Sequence, residues 1–161
     1  MTEREWPEEA REHFDRAYEA QMAGRLYEAV ESYRRSIAVY PSAEAHTFLG
    51  WALSFQGRHE DAIAECHRAI SVDPTFGNPY NDIGAYLIEL GREEEAIEWL
   101  ERAKTAPRYE PRHFPFFNLA RVYARQHKVR EAIHELEGAI AIEPRYTAAR
   151  QELHRLVGML N

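Results

Sequence analysis

Residues 43–74, AEAHTFLGWALSFQGRHEDAIAECHRAISVDP, contain the pattern that decides the fold of this chain. Leu49 and Leu53 are four residues apart, so they lie on one face of an amphipathic helix. The second half, after Gly57, repeats this spacing and ends at Pro74, which cannot continue a helix. The stretch therefore predicts a helical hairpin with one apolar side, which is too small to bury that side alone.

The same marker residues recur along the chain at intervals of 33 to 36 residues. The recurring alanines are Ala29, Ala62, Ala96 and Ala132, each followed by Val or Ile. Glycines precede the first three alanines by five residues, at Gly24, Gly57 and Gly91. Prolines follow three of the alanines by 12 residues, at Pro41, Pro74 and Pro144. Four hairpins in register can stack and bury a continuous apolar core.

A helix-turn-helix repeat with a period near 34 residues resembles the tetratricopeptide repeat family. The resemblance implies an all-α fold, a right-handed α-α superhelix (solenoid) of helical hairpins. It covers four repeats and a C-terminal capping helix. The expected repeats are about 10–42, 43–76, 77–112 and 113–146, and the expected capping helix is 147–160. We expect residues 7–161 to form this single domain and residues 1–6 to be disordered.

Nine helices are predicted, and the third hairpin contains one irregularity. The predicted helices are 7–22, 25–38, 42–56, 59–72, 76–90, 93–105, 112–126, 129–142 and 146–160. The connection after the sixth helix is longer than its neighbour and contains Pro107 and Pro111. We interpret it as a tolerated surface insertion, because loop length costs little stability. The alternative is a stiffened connection that changes the superhelical pitch.

Charge and cysteine content limit the partners and the compartment. The chain of 161 residues has a formal net charge of −7, which argues against nucleic acid as the main partner. Cys66 is the one cysteine, so no intramolecular disulfide can form. The first residues are acidic without an apolar run, and no stretch approaches the ~20 apolar residues that span a bilayer. We expect a cytoplasmic protein without membrane insertion.

The sequence offers little basis for catalysis or metal binding. Eight histidines are scattered over different hairpins, and no pair has the i, i+4 spacing of a helical zinc site. Cys66 and His67 are adjacent, but Cys66 falls on an apolar stripe, where a buried structural cysteine is expected. We find no phosphate-binding glycine loop and no nucleophile motif. We therefore expect no enzyme activity, no cofactor and no metal.

The first helix of each hairpin is expected to line the concave side of the stack. The side chains expected to face this groove include aromatic, amide and basic residues instead of a purely polar set. The candidate peptide-binding residues are Phe14, Tyr18, Trp51, Phe55, Asn78, Asn81, Phe117, Asn118, Arg121, Arg125 and Arg155. Exposed aromatic side chains of this kind are typical of a recognition surface. The alternative for Phe14 and Phe55 above all is that these rings seal contacts between adjacent hairpins.

The charge pattern suggests the kind of ligand. Residues 113–161 contain 7 Lys and Arg against 5 Asp and Glu, whereas residues 1–112 contain 13 against 22. Guanidinium groups in the C-terminal half of the groove can pair bidentately with carboxylates. We therefore predict a protein or peptide ligand with an apolar or aromatic anchor and an acidic segment. The alternative is that the arginines pair internally, for example with Glu89 or Glu152.

These observations favour a non-catalytic protein-protein interaction module, an adaptor that binds a segment of its partner in the groove. The alternative is a structural scaffold that assembles with itself into a homo-oligomer. Some members of the resembled family bind the C-terminal carboxylates of chaperone tails through a clamp of Lys, Asn and Arg side chains. The corresponding residues here are Thr47, Trp51, Asp82, Phe114 and Asn118, and none is basic. We predict that this clamp is absent.

Overall fold

The computed structural model describes residues 5–161, and every predicted helix is present in that range. The helices are α1 (Glu8–Met22), α2 (Leu26–Val39), α3 (Ala43–Phe55), α4 (His59–Val72), α5 (Asn78–Glu89), α6 (Glu93–Lys104), α7 (His113–Arg125), α8 (Val129–Ile142) and α9 (Thr147–Met159). Their ends differ from the predicted ends by at most two residues. The periodicity of the sequence therefore located each helix.

The helices pair into hairpins, and the hairpins stack. The strongest packing is within the pairs α1–α2, α3–α4, α5–α6 and α7–α8, and the second helix of each pair packs on the next pair. The first helices also touch one another in the order α1, α3, α5, α7, so they line one side of the stack. This arrangement confirms the all-α superhelix of helical hairpins.

Each hairpin turns through one residue with a positive φ. Gly24, Gly57 and Gly91 have φ values of 80°, 78° and 75°. Side chains disfavour this left-handed conformation, and glycine lacks the Cβ that causes the clash. His127 takes the corresponding place in the fourth hairpin at φ 59°. The glycine spacing in the sequence thus marks the turns of three hairpins, and the fourth makes the same turn without it.

The recurring alanines lie where helices approach most closely. Ala29, Ala62, Ala96 and Ala132 are all 0% exposed. At the neighbouring helix of the second hairpin, a Cβ added to Gly50 would lie 3.0 Å from the backbone oxygen of Ala62. Small side chains at these positions therefore let the two helices of a hairpin pack against each other, which explains their spacing in the sequence.

The stack is covered at both ends by additional apolar contacts. Trp6 is 4% exposed, and its ring packs edge-on against Phe14 with centroids 5.4 Å apart. The prediction of disorder for residues 1–6 is therefore wrong at Trp6, while residues 1–4 lie outside the described range. At the other end, α9 packs on α8 and buries Ala149 and Leu156. This is the contact expected of a capping helix.

The connection between α6 and α7 folds back onto the turn between α4 and α5. The Gly77 amide donates to the Arg108 carbonyl and the Arg108 amide donates to the Thr75 carbonyl, both at 3.0 Å. The Arg108 guanidinium also lies 2.9 Å from a Glu44 carboxylate oxygen and 2.8 Å from an Asp73 oxygen. Tyr109 is only 5% exposed. The interpretation as a tolerated surface insertion is wrong, because these contacts make the connection part of the packed structure.

Across residues 5–161, none of the helices combines the length and the apolar character needed to cross a membrane.

Candidate peptide-binding site

A concave pocket of about 430 Å³ lies where the first three hairpins meet the α6–α7 connection. Its lining residues come from four helices and one loop. They are Tyr18, Thr47, Phe48, Trp51, Asn78, Asn81, Asp82, Tyr109, Pro111 and Phe114. We call this set the aromatic pocket, because five of its ten members carry aromatic rings. The fold brings these residues together because α1, α3, α5 and α7 share one side of the stack.

One wall of the aromatic pocket is a row of edge-on ring contacts along α1 and α3. Phe48 packs on Tyr18 with centroids 6.0 Å apart and on Trp51 at 5.8 Å. Phe55, one turn beyond, packs on Trp51 at 5.4 Å but does not line the pocket. Such contacts add stability beyond buried area, so the rings are held in place before a ligand arrives. Tyr18 remains 44% exposed, so this wall is open to a partner.

Phe14 does not belong to the groove surface. Its side chain is 8% exposed and packs against the rings of Trp6, Tyr33 and Phe48, with centroids 5.2 to 5.5 Å apart. The prediction of Phe14 as a binding residue is wrong. Its neighbours show that it seals the contact between the first two hairpins, which was the alternative considered for it.

The predicted asparagines fall into two groups. Asn78 is partly exposed and lines the aromatic pocket. Asn81 and Asn118 are 7% and 8% exposed, and the Asn118 side-chain amide donates to the Asn81 side-chain oxygen at 3.0 Å. Arg121 in turn donates to the Asn118 oxygen at 3.1 Å. The last two amides are therefore partly used in joining α5 to α7, and Asn78 is the amide best placed for a peptide backbone.

Asp82 is a pocket residue that the sequence-based site did not include. It lies four residues after Asn78 on α5, so both face the groove. Burial raises the pKa of the Asp82 carboxyl to about 7, although a hydrogen bond from Asn81 acts in the opposite direction. The helical spacing from Asn78 was the signal that could have identified it.

Five other pocket residues were also absent from the predicted binding set, and they are Thr47, Phe48, Tyr109, Pro111 and Phe114. Phe48 lines the pocket through its contact with Tyr18, and this contact depends on the close approach of α1 and α3. Tyr109 and Pro111 come from the α6–α7 connection, whose path depends on contacts with the α4–α5 turn. No local sequence pattern reports such contacts.

The predicted arginines lie outside the aromatic pocket and are paired. Arg121 lies 3.0 Å from a Glu89 carboxylate oxygen, and Arg125 lies 3.1 Å from one of Glu93. Arg155 pairs with Glu152 within α9. The pairing with Glu89 and Glu152 is the internal alternative considered for these side chains.

Phe117 is partly buried and packs on Tyr146 with centroids 5.2 Å apart. Neither this ring nor the three paired arginines lines the aromatic pocket. The eleven predicted binding residues therefore do not form one site, and four of them, Tyr18, Trp51, Asn78 and Asn81, lie in the pocket.

The described residues provide no constellation for metal or nucleophilic chemistry. Among residues 5–161, no three His, Cys, Asp or Glu side chains are grouped so that they could hold a metal ion. Cys66 is 0% exposed, and burial raises the pKa of its thiol well above the usual value. A buried neutral thiol is a poor nucleophile.

Comparison with known proteins identifies the family. A tetratricopeptide repeat family model matches residues 14–76, and a second model with the same description matches residues 78–108. Together the two matches cover more than half of the chain. The protein belongs to the tetratricopeptide repeat family, as the sequence resemblance implied.

Curated relatives are similar to part of this sequence. Small glutamine-rich tetratricopeptide repeat-containing protein 2 of Mycosarcoma maydis is 35% identical over 72 residues, which are 44% of this chain and 20% of that protein. The chain spans a fifth or less of the curated relatives it matches.

Two solved structures have a similar fold over most of the chain. Pseudomonas aeruginosa PilF has a TM-score of 0.87 at 23% identity, over 94% of this chain and 69% of that chain. YrrB, described as a tetratricopeptide repeat protein with an unusual peptide-binding site, has a TM-score of 0.71 at 18% identity, over 89% of this chain and 73% of that chain. At these identities the likeness concerns the fold alone.

Proposed function

We propose that this protein is a non-catalytic protein-interaction module that binds an extended segment of a partner in the aromatic pocket. The observation that carries the proposal is the pocket itself, an open concavity of about 430 Å³ with preorganised rings and a partly exposed amide. Ligand sites typically have volumes of roughly 300–1,000 Å³, with apolar walls and a few polar groups. The family and the peptide-binding site described for YrrB support the same use of the fold.

The anchor side chain of the bound segment packs against the aromatic wall of the pocket. Trp51 is a partly exposed ring of the pocket wall, and edge-on contacts with Phe48 and Phe55 hold it in place. Large aromatic side chains in preformed pockets contribute most of the binding energy of many interfaces. Asn78 can add a hydrogen bond to the peptide backbone beside them.

The predicted acidic segment is not part of this proposal. It depended on unpaired guanidinium groups over the fourth hairpin. Arg121 and Arg125 are instead neutralised by Glu89 and Glu93. Binding an acidic segment there would first require the loss of those ion pairs.

The proposal can be tested by selecting phage-displayed random dodecapeptides against the purified protein. Synthetic versions of the enriched peptides are then titrated against the wild type and Trp51→Ala. We expect Trp51→Ala to weaken binding about thirtyfold or more, since truncating a central aromatic hot spot costs about 2 kcal/mol or more. Tyr27→Ala is the control, because Tyr27 is an 80% exposed ring on α2 outside the pocket.

Two outcomes would contradict the proposal. The first is that no peptide is enriched, or that enriched peptides bind Trp51→Ala as tightly as the wild type. The second is self-association through the same surface. It would appear in light scattering as a homo-oligomer that Trp51→Ala dissociates, and it would favour the scaffold alternative.

A further inference from the structure

The charge of the aromatic pocket indicates the chemistry of the side chain that it receives. We propose that the pocket binds a lysine or arginine of the partner segment, with the aliphatic stem against the aromatic rings and the cationic head against the Asp82 carboxylate. This inference rests on the proposed function and specifies its ligand. It reverses the charge that the sequence alone suggested for the segment.

Asp82 has no cationic partner within the described part of the chain. Among the ten lining residues it alone carries a carboxylate, and none of the ten is basic. Across residues 5–161 the hydrogen bond from Asn81 is the interaction that favours its ionised form, and no Lys, Arg or His forms a salt bridge with it. By contrast, the carboxylates of Glu89 and Glu93 each pair with an arginine. Asp82 is therefore the carboxylate that a ligand cation could still neutralise.

Three titratable side chains near Asp82 also fail to provide it with a positive charge. Asp82 contributes, with burial, to raising the pKa of Cys66, Tyr86 and Tyr109. These groups lie on α4, on α5 and in the α6–α7 connection, and all three are neutral near pH 7. Arg112 acts on Tyr109 in the opposite direction, but its guanidinium donates to the carbonyls of Lys104 and Ala106 at 2.6 and 2.9 Å. Cys66, Tyr86 and Tyr109 therefore do not supply a positive charge that would neutralise the Asp82 carboxylate.

The aromatic walls of the pocket suit the side chain of a lysine or an arginine. Lysine and arginine side chains combine an apolar stem with a charged head, so they match a site that has aromatic walls and one carboxylate. A cation within about 6 Å of an aromatic centroid is also attracted by the ring, most strongly by tryptophan. Trp51 and Tyr18 stand on one side of the pocket, and Tyr109 and Phe114 complete it.

The part of the chain that surrounds the pocket has a net negative charge. Residues 1–112, which supply nine of the ten lining residues, contain 13 Lys and Arg against 22 Asp and Glu. A negative surface raises the encounter rate with a basic segment and repels an acidic one. With Arg121 and Arg125 already paired, the long-range and local charges both favour a cation.

The test uses two small probes with the same four-carbon stem: Nα-acetyl-lysine amide, whose stem ends in an ammonium group, and Nα-acetyl-norleucine amide, which lacks that group. Each is titrated into the full chain while the Trp51 indole N–H is followed by NMR. A charge-assisted hydrogen bond contributes about 1.5–3 kcal/mol, so we expect the lysine probe to bind about tenfold or more tightly than the norleucine probe. Asp82→Asn is expected to abolish this preference with little change in the norleucine affinity. The control is Asp15→Asn, because Asp15 is an exposed carboxylate on α1 outside the pocket.

The outcomes separate this inference from the proposed function. Equal binding of the two probes, or a preference that survives in Asp82→Asn, would overturn the lysine or arginine ligand. If the selected dodecapeptides still depend on Trp51 in that case, the interaction module stands with a neutral anchor. If neither probes nor peptides perturb Trp51, both ideas fail together. Enrichment of lysine or arginine among the dodecapeptides, lost in a parallel selection against Asp82→Asn, would support the inference.

Discussion

The two halves of the concave side use charge in opposite ways. In the N-terminal half, the aromatic pocket contains one carboxylate, Asp82, without a cationic partner. In the C-terminal half, Arg121 and Arg125 reach back to glutamates that precede them in sequence by 32 residues. That interval is close to one repeat, so each pair joins one hairpin to the next.

In a stack of repeats, a charged side chain can either join neighbouring hairpins or remain available to a ligand. A cation one repeat away from an anion can join neighbouring hairpins and leaves no net charge for a ligand. A carboxylate without such a partner lowers stability and can be compensated by binding. We infer that the arginine-rich half of the groove joins neighbouring hairpins, and that the half containing the aromatic pocket is the candidate site. Changes in the two halves should differ in size and in sign.

We expect the largest loss of stability from Gly77→Ala, which disturbs the wall that the α6–α7 connection contributes to the aromatic pocket. A Cβ added to Gly77 would lie 2.4 Å from both Cβ and Cγ of Tyr109. Since Tyr109 is buried, Gly77→Ala must push the α6–α7 connection away from the α4–α5 turn. We expect a loss of about 3 kcal/mol in the free energy of unfolding, measured in urea, and weaker binding of the selected peptides.

The matched control for Gly77→Ala is Gly158→Ala. Gly158 lies in α9, and an added Cβ there would meet nothing within 4 Å. Alanine is the better helix former, so this change should be neutral or stabilise by up to about 1 kcal/mol. If Gly77→Ala behaves like Gly158→Ala, the docked connection is not a rigid wall of the pocket.

A smaller effect of opposite sign is expected for Asp82→Asn. The folded-state pKa of about 7 lies above the ordinary value of 3.8, so the folded state prefers the protonated acid. The destabilisation is therefore absent below about pH 3.8, grows as the pH rises, and is complete above pH 7. Asp82→Asn should stabilise the free protein by about 1–2 kcal/mol at pH 8, allowing for partial exposure, and by less at pH 5.

Urea unfolding of the wild type and Asp82→Asn at the two pH values measures this difference. Asp15→Asn again serves as the control, because its carboxylate is exposed. A stabilisation that is the same at pH 5 and pH 8 would show that Asp82 is already well solvated. The contrast between the two halves would then lose its electrostatic basis.

The smallest effect is expected in the arginine half. Arg121→Ala removes an ion pair with Glu89 in which the two side chains are 31% and 50% exposed. Exposed pairs contribute about 0.2–1 kcal/mol, so the midpoint of urea unfolding should fall only slightly. Binding of the selected peptides should not change. A large loss of affinity instead would return the arginines to the binding site and restore the acidic segment as a candidate ligand.

The sequence predicted the fold well because the fold depends on local periodicity. The alanine, glycine and proline spacing located the helices and turns, even in the fourth hairpin, where His127 adopts the turn conformation without glycine. The site was predicted only in part. Tyr18, Trp51 and Asn78 follow from the helical face, whereas Tyr109 enters the pocket through a loop held by long-range contacts.

Charged residues were the least predictable from the sequence. A face can be deduced from helical spacing, but whether a charge on that face is paired depends on the neighbouring hairpin. Arg121 was predicted to face a ligand, with internal pairing to Glu89 as the alternative, and helical spacing alone could not decide between the two because Glu89 is 32 residues away along the chain. Asp82 looked unremarkable for the same reason, since the lack of a cation is a property of the packed surroundings.

The burial of Cys66 gives the protein an internal reporter of its own opening. Its thiol packs against α3, and a Cβ added to Gly50 of that helix would lie 3.5 Å from the Sγ atom. A thiol reagent can reach it after α3 and α4 separate, so the labelling rate of the native protein measures that local separation. Because Cys66 is buried, thiol reagents should label an exposed cysteine introduced elsewhere much faster than they label Cys66. A cysteine introduced at Phe55, whose side chain is 59% exposed, would be labelled first and would place a fluorophore beside the pocket.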